Sequence, residues 1–296
     1  MKKIKGETIF QIVINIILTV LTLCSLLPFV LLIMSSFTQE SSLIAEGYRF
    51  WPKVFSLDAY RYILSRAGTI FRAYGITLLV TAVGTTLSLL LTPMLAYPLS
   101  RPDFKLCNVM SFMVFFTMLF NGGLVPTYMM WTQFFHIKNT VWSLIFPGLL
   151  INAFNVMLMK NYFKMSIPFS LIEAAKIDGA GEFYTFYKVV LPLSKPIMAT
   201  VGLFVGIGYW NDWQNGLYYV TDAKLFSLQN FLNRMMQNIN YLATADGAEA
   251  AKGTVIMPSA SMRMALAVIG VIPIMVLYPF FQKYFVKGMT IGSVKG

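Results

Sequence analysis

The chain has 296 residues, of which 57% are hydrophobic and only 12% charged. That balance excludes an ordinary soluble globular domain and points to the membrane. The formal net charge of +11 is spread along the flanks of apolar runs, which suits anchoring to anionic lipid headgroups and excludes a massed nucleic-acid face.

Charge-free runs mark where the chain crosses. A spanning helix needs about 20 apolar residues, and six segments qualify, near 10–35, 74–99, 106–131, 140–160, 196–213 and 264–282. Together they read as one transmembrane permease domain over 1–296. The first run is long and lacks a small-residue cleavage site, so it reads as an uncleaved helix. Residues 36–72 follow outside, with Leu57–Leu64 a candidate amphipathic helix on the bilayer surface. Span two closes on the tight turn Ser100-Arg101-Pro102-Asp103, and Asn121-Gly122-Gly123 with Pro126 interrupts span three. Residues 161–195 form a cytoplasmic loop and 214–263 an external one. Cys24 and Cys107 lack metal-ligand spacing and read as unpaired. With both termini in the cytoplasm, the inner segments hold 13 of the 23 Lys and Arg and 5 of the 12 acids, a net +8 against +3 outside. The positive-inside rule therefore sets the orientation.

The cytoplasmic loop holds a polar island between apolar runs, Glu173-Ala174-Ala175-Lys176-Ile177-Asp178-Gly179-Ala180-Gly181, followed by Leu191-Pro192. Pro168 precedes it, and Ser170 with Glu173 forms an S-x-x-E capping box that starts a helix at about Leu171. Gly179 stands where a glycine would end that helix. Eight or nine residues are too few to stay helical in water without a partner. Ala174 and Ala175 let a surface approach closely, while Glu173, Lys176 and Asp178 offer it charges. The element reads as a docking site for something soluble.

No Asp, Glu, Lys, Arg or His lies in the middle of a span. A proton-coupled carrier needs such a group at depth; setting aside a sodium site built from backbone carbonyls, which escapes this test, the energy for uphill transport would then come from outside the chain. There is no G-x-x-x-x-G-K-[ST] phosphate cradle. His136 is the sole histidine, too little for a zincin or a recognisable serine hydrolase. Gly202 and Gly206 have the spacing for close helix approach, either within the chain or against a second subunit. At the external end of span five, Tyr209-Trp210-Asn211-Asp212-Trp213 interleaves aromatic faces with hydrogen-bonding groups. That pattern suits a sugar or an interfacial aromatic belt. Tyr128 and Trp131, beyond the Gly122-Gly123 break, are further candidates.

These residues resemble a known family. Glu173–Gly181 with Leu191-Pro192 is similar to the E-A-A-x-x-D-G-A … L-P loop of binding-protein-dependent ABC importer permeases. Leu95–Arg101 resembles the A-Y-x-L-S-R close of span two in maltose-transporter-like carbohydrate permeases, and Trp210–Trp213 resembles their W-N-x-W. Phe226–Gln229 resembles their P-L-Q-like stretch, with Ser227 where proline is frequent. Asn121–Tyr128 resembles a branch labelled polysaccharide or lipopolysaccharide transport permease.

The resemblance implies an all-α type I importer permease fold of six transmembrane helices with a cytoplasmic coupling helix, in a bacterial cytoplasmic membrane. It implies no cofactor and no catalysis in this chain, with ATP and Mg held by a partner ATPase. It further implies a second permease subunit, two ATPase subunits (identical or different), an external solute-binding protein and an oligosaccharide substrate, with no nucleic acid. By similarity, Glu173, Ala174, Ala175, Lys176, Asp178 and Gly179 are the ATPase-coupling residues. Tyr128, Trp131, Tyr209, Trp210, Asn211 and Trp213 are the substrate-path candidates. The rival readings are an importer for another solute, a stand-alone channel or carrier, and an intramembrane enzyme.

Overall fold

A computed structural model describes residues 2–65, 67–242 and 259–290. Among them the fold is helical, with one isolated bridge between Thr38 and Phe55 as its only extended pairing. Part of the expected external loop, residues 243–258, and the tail beyond 290 lie outside the described residues.

Helix α1 (Lys2–Ser36) is apolar on every side beyond its charged first turns, and its large side chains from Ile9 to Val30 are exposed. Only a lipid surround suits such a surface. The short helices α2 (Glu40–Glu46) and α3 (Asp58–Ser65) follow, and α3 turns Ala59 and Ile63 inward. Helix α4 (Ala67–Ser100) holds Pro93 and Pro98 without breaking. Helix α5 (Cys107–Leu119) stops at Phe120, and Gly123, at φ +86°, sends the chain off at 112° into α6 (Leu124–Met129) and a π-turn over Met130–Phe134. That is the interruption the two glycines predict.

The segment expected as a helix over 140–160 is divided. Helix α7 (Trp142–Ile145) ends before Pro147 and Gly148, the latter at φ +72°. Helix α8 (Ala153–Ser166) then starts on the Asn152 side chain, which accepts from the backbone of Phe154 and Asn155. Asn is a strong N-cap and Pro-Gly a strong breaker, so local chemistry overrides a uniform apolar run.

The loop after α8 carries α9 (Phe169–Ile177), α10 (Glu182–Tyr184), a π-turn over Thr185–Val190 and α11 (Leu191–Leu193). An 80° bend at Ser194 leads into α12 (Lys195–Asn211). The expected external loop is itself helical in part, as α13 (Gln214–Tyr219) and α14 (Leu228–Leu242), before α15 (Ser259–Thr290). By length and apolar character, two described helices can cross a membrane, α1 and α4, or up to four crossings if each bent pair counts as one.

Two compact units emerge, residues 1–67 with 234–274, and residues 68–233 with 275–296. In the first, Ser36 and Tyr60 share a hydrogen bond of 2.8 Å, and the Phe37 and Tyr60 rings stack at 5.0 Å. Glu40 caps α15 from 220 residues away, accepting from the backbone of Ala260 and Ser261 at 2.8 and 2.9 Å and from Ser261 Oγ at 2.7 Å. A carboxylate at a helix N-terminus satisfies orphan N–H groups and the positive end of the helix dipole.

In the second unit, α4, α8 and α12 share a core that includes Ala96, Leu144, Val156, Met159 and Val201. Glycine lets α4 and α12 close up. The Tyr209 ring lies so near Gly84 that a Cβ there would run into it. A Cβ on Gly202 would stand 3.1 Å from Leu89, and one on Gly206 3.6 Å from Thr85, both on α4. The small-residue spacing of α12 thus serves packing within the chain. Gly216 similarly lies against Asn230, and the Leu228 N–H donates to Thr77 Oγ1 at 2.8 Å.

Candidate functional site

Helix α9 begins two residues earlier than the sequence predicts. Pro168 is its N-cap residue, and no side chain caps it. The expected Ser170–Glu173 capping box does not form, because the helix already starts at Phe169 and places Ser170 inside its first turn. Its other end follows the prediction. Gly179 takes φ +82°, the Gly179 N–H donates to the Lys176 carbonyl at 3.0 Å, and the Ala180 N–H donates to that of Ala175 at 2.9 Å. This is a Schellman closure, and glycine is the residue that enters the left-handed region without strain.

Helix α9 sinks only Ile172 fully into the protein. Glu173, Ala174, Lys176, Asp178 and Gly179 are exposed and Ala175 half-buried. Nearby, Ile177 is 85% exposed and Phe183 83%. A small-residue face flanked by bare apolar side chains is what a docking surface needs.

What holds this helix in place is a charge cluster that sequence reading did not assemble. At the end of α4, the Arg101 side chain is 5% exposed. Its Nε and Nη2 grip both Asp103 oxygens at 2.8 and 2.6 Å. Its Nη1 donates to Tyr97 Oη and, at 3.2 Å, to Glu182 Oε2. Tyr97 Oη in turn donates to Glu182 Oε2 at 3.0 Å. Lys176 of α9 completes the ring, with Nζ 2.9 Å from Asp103 Oδ2 and 2.9 Å from Glu182 Oε1. The guanidinium also lies over the Tyr97 and Phe169 rings. Buried charges persist when paired and hydrogen-bonded, and the planar fork of arginine suits this bidentate grip.

The titration of the cluster follows. The hydrogen bond from Arg101, aided by that from Lys176, holds the Asp103 carboxyl well below the ordinary range. Burial pushes Glu182 up, but the hydrogen bonds from Lys176 and Tyr97 and the charge of Arg101 outweigh it and leave it lowered. Lys176 is raised by its bonds to Asp103 and Glu182. Lys176 is therefore occupied within the chain, whereas the exposed Glu173 faces outward.

The substrate-path candidates separate into two groups. Tyr209 and Trp210 are buried in the chain's own packing. Tyr209 Oη donates to the Ile145 carbonyl at 2.8 Å, and the Trp210 ring lies 6.4 Å from that of Tyr74. Asn211 is exposed and Trp213 39% exposed. Asp212 between them caps α13 through the backbone of Gln214 and Asn215. Tyr128 stacks on Tyr219 at 5.7 Å with Lys138 Nζ 5.9 Å above it, and Trp131 packs against Phe135 and Phe146. The Asn139 side chain, accepting from the backbone of Thr221 and Asp222, ties the Lys138 turn to the segment after α13. Tyr219 and Asn139 were missed from sequence because their partners lie 91 and 82 residues away, and Lys138 because a loop lysine ten residues from Tyr128 forms no local pattern with it.

Known proteins resemble this chain over most of its length. The model of the family described as "Binding-protein-dependent transport system inner membrane component" matches residues 84–291. "Protein LplC" of Bacillus subtilis (strain 168) is 40% identical over 92% of this chain and 90% of its own length. The "Polygalacturonan/rhamnogalacturonan transport system permease protein YtcP" of the same organism is 38% identical over 97% of this chain and 99% of its own. A chain in the crystal structure of a bacterial ABC transporter involved in the import of the acidic polysaccharide alginate superposes with a TM-score of 0.76 at 30% identity, covering 95% of this chain and 98% of that one.

Proposed function

The chain belongs to the binding-protein-dependent transport system inner membrane components, and from that premise we propose that it forms half of the pathway of an oligosaccharide importer powered by a separate ATPase. A second, distinct permease subunit supplies the other half. Two ATPase subunits carry the ATP and Mg, and an external binding protein delivers the solute. The chain crosses the membrane six times, as α1, α4, the bent α5–α6 pair, the segment from α7 through α8, α12 and α15. Both termini and residues 161–195 face the cytoplasm. The excess of basic residues on those segments supports this orientation.

The observation that carries the proposal is α9 itself. It is a nine-residue helix with an open small-residue face, closed by a Schellman glycine and held by ion pairs at its back. Glu173 and the Ala174–Ala175 face meet the ATPase, and its closure on ATP moves α9. The test is Glu173→Lys in the complete transporter, reconstituted in liposomes. Solute-stimulated ATP hydrolysis and uptake both fall, while the chain still inserts. Unchanged activity in that variant removes α9 from the coupling path, and uptake by this chain alone removes the ATPase altogether.

A finer reading concerns the solute. Alginate and polygalacturonan, named for the two matched transporters, are acidic polymers. In the segment read as external, the exposed Lys138 ammonium lies over the half-buried Tyr128 ring, which stacks on the buried Tyr219. The pair steadies the ammonium, and the ammonium takes a carboxylate. An oligosaccharide bearing carboxylates is the solute class this supports.

A further inference from the structure

The structure assigns a role to the A-Y-x-L-S-R close of span two, here Ala96–Arg101, which the docking reading leaves without one. Tyr97 and Arg101 stand one turn apart at the end of α4, and both reach Glu182, more than 80 residues ahead, on the far side of the coupling helix. Asp103, just beyond, is shared between Arg101 and Lys176. We infer that these five side chains form a rigid clasp that carries displacement of α9 directly into α4, so that Arg101 is the positioning residue through which ATPase motion reaches the translocation helices.

Three observations support this over a merely local stabilising role. The first concerns the backbone route from α9 to α12. It runs through α10, a π-turn and α11, and then bends 80° at Ser194, with Gly179 at its start. Such a path has joints that can absorb a push. The clasp bypasses all of them and ends on a 34-residue helix. Second, the clasp is braced from behind. The α4 end of the clasp packs into the core, with Ala96, Tyr97 and Leu99 buried beside Arg101. Close-packed interiors transmit strain rather than dissipating it. Third, the connections are charge-assisted, and Arg101 grips Asp103 through two bonds, which fixes direction as well as distance there. On the α9 side, Lys176 is the only link among the described contacts that joins the coupling helix to the clasp by ion pairs. Its partners Asp103 and Glu182 are the places to cut the clasp without altering the docking helix or the core.

This rests on the ATPase-docking reading, and the experiment separates the two. In proteoliposomes holding the complete transporter, ATP hydrolysis and solute uptake are measured together for Asp103→Asn, Glu182→Gln and Glu182→Asp. ATPase bound per permease is quantified in the same preparations. Asp103→Asn and Glu182→Gln keep the ATPase bound and hydrolysing, but uptake per ATP falls about fivefold, the lower end of usual coupling between distant sites. Glu182→Asp retains most of it. The Asp103 and Glu182 side chains are 40% and 54% exposed, so their variants fold. If uptake and hydrolysis fall in proportion with loss of bound ATPase, the clasp only shapes the docking surface and the inference is overturned. If uptake per ATP is unchanged in both variants, force travels along the backbone and the inference is overturned with docking intact. If no ATPase associates with the native transporter, it is the docking reading that fails.

Discussion

Replacing Gly179 with alanine isolates one physical quantity. A Cβ at Gly179 meets no atom within 4 Å, so the new methyl group causes no clash. The only penalty is backbone conformation, because Gly179 sits at φ +82°. For a non-glycine residue the left-handed region costs about 1–2 kcal/mol. Helix α9 has nine residues and no side-chain N-cap, so it has little of its own stability to set against that cost. If the cost falls on the docked conformation, ATPase affinity drops by roughly five- to thirtyfold, at 1.4 kcal/mol per factor of ten. The assay is titration of purified ATPase onto the permease pair in nanodiscs, comparing glycine, asparagine and alanine at this position. Asparagine tolerates the left-handed region better than alanine, so affinity should rank glycine, then asparagine, then alanine. Alanine binding as tightly as glycine, or more tightly than asparagine, would refute a Schellman-closed helix as the docked form.

Gly84→Val drives a side chain into the Tyr209 ring, an overpacking worth about 1–3 kcal/mol. It should lower the thermal midpoint of the purified chain, and Tyr209→Leu in the same chain should recover part of the loss; a native midpoint in the single variant would contradict the close approach. The clasp sets a pH window. Asp103 is lowered, so its stabilisation is whole above the unfolded carboxylate range near pH 4 and is lost as pH falls through the lowered folded value. Lys176 is raised, so its part is whole below about pH 10 and is lost as pH rises through the folded value. The difference in thermal midpoint between the native chain and Asp103→Asn should therefore be flat from about pH 5 to 9, and a slope across that range would exclude the ion pairs as its source. Lys138→Gln should reduce uptake of a carboxylate-bearing oligosaccharide by about tenfold, the worth of one charge-assisted hydrogen bond, and leave a neutral one unchanged. Equal loss for both would assign Lys138 to structure.

Apolar runs and punctuation residues made much of this fold legible. α1 and α4 follow from uninterrupted hydrophobicity, the break before α6 from Gly122-Gly123, and the end of α9 from Gly179. The Pro147-Gly148 and Asn152 signals were equally present in the sequence, yet a hydropathy window averages over them. The amphipathic helix α14 was missed because a 50-residue loop was read by its polarity rather than its periodicity; Leu228, Phe231 and Leu232 on its inner face were the signal. The exposed small-residue face of α9 was readable because it is contiguous. The clasp was not, since Arg101 and Glu182 are 81 residues apart and no local pattern pairs them. Tyr209 and Trp210 illustrate a different gap: aromatic residues beside Asn and Asp suggest sugar, but only packing reveals that both rings are enclosed by the chain's own helices.

The Glu40 cap on α15 has a consequence for biogenesis. Its acceptor is made early and its donors, Ala260 and Ser261, come 220 residues later. At roughly 5–20 residues per second, the ribosome takes on the order of ten to forty seconds to bridge that gap. The stitch between α2 and α15 therefore closes only once Ser261 has been made, and a nascent chain stopped short of Ser259 cannot form it.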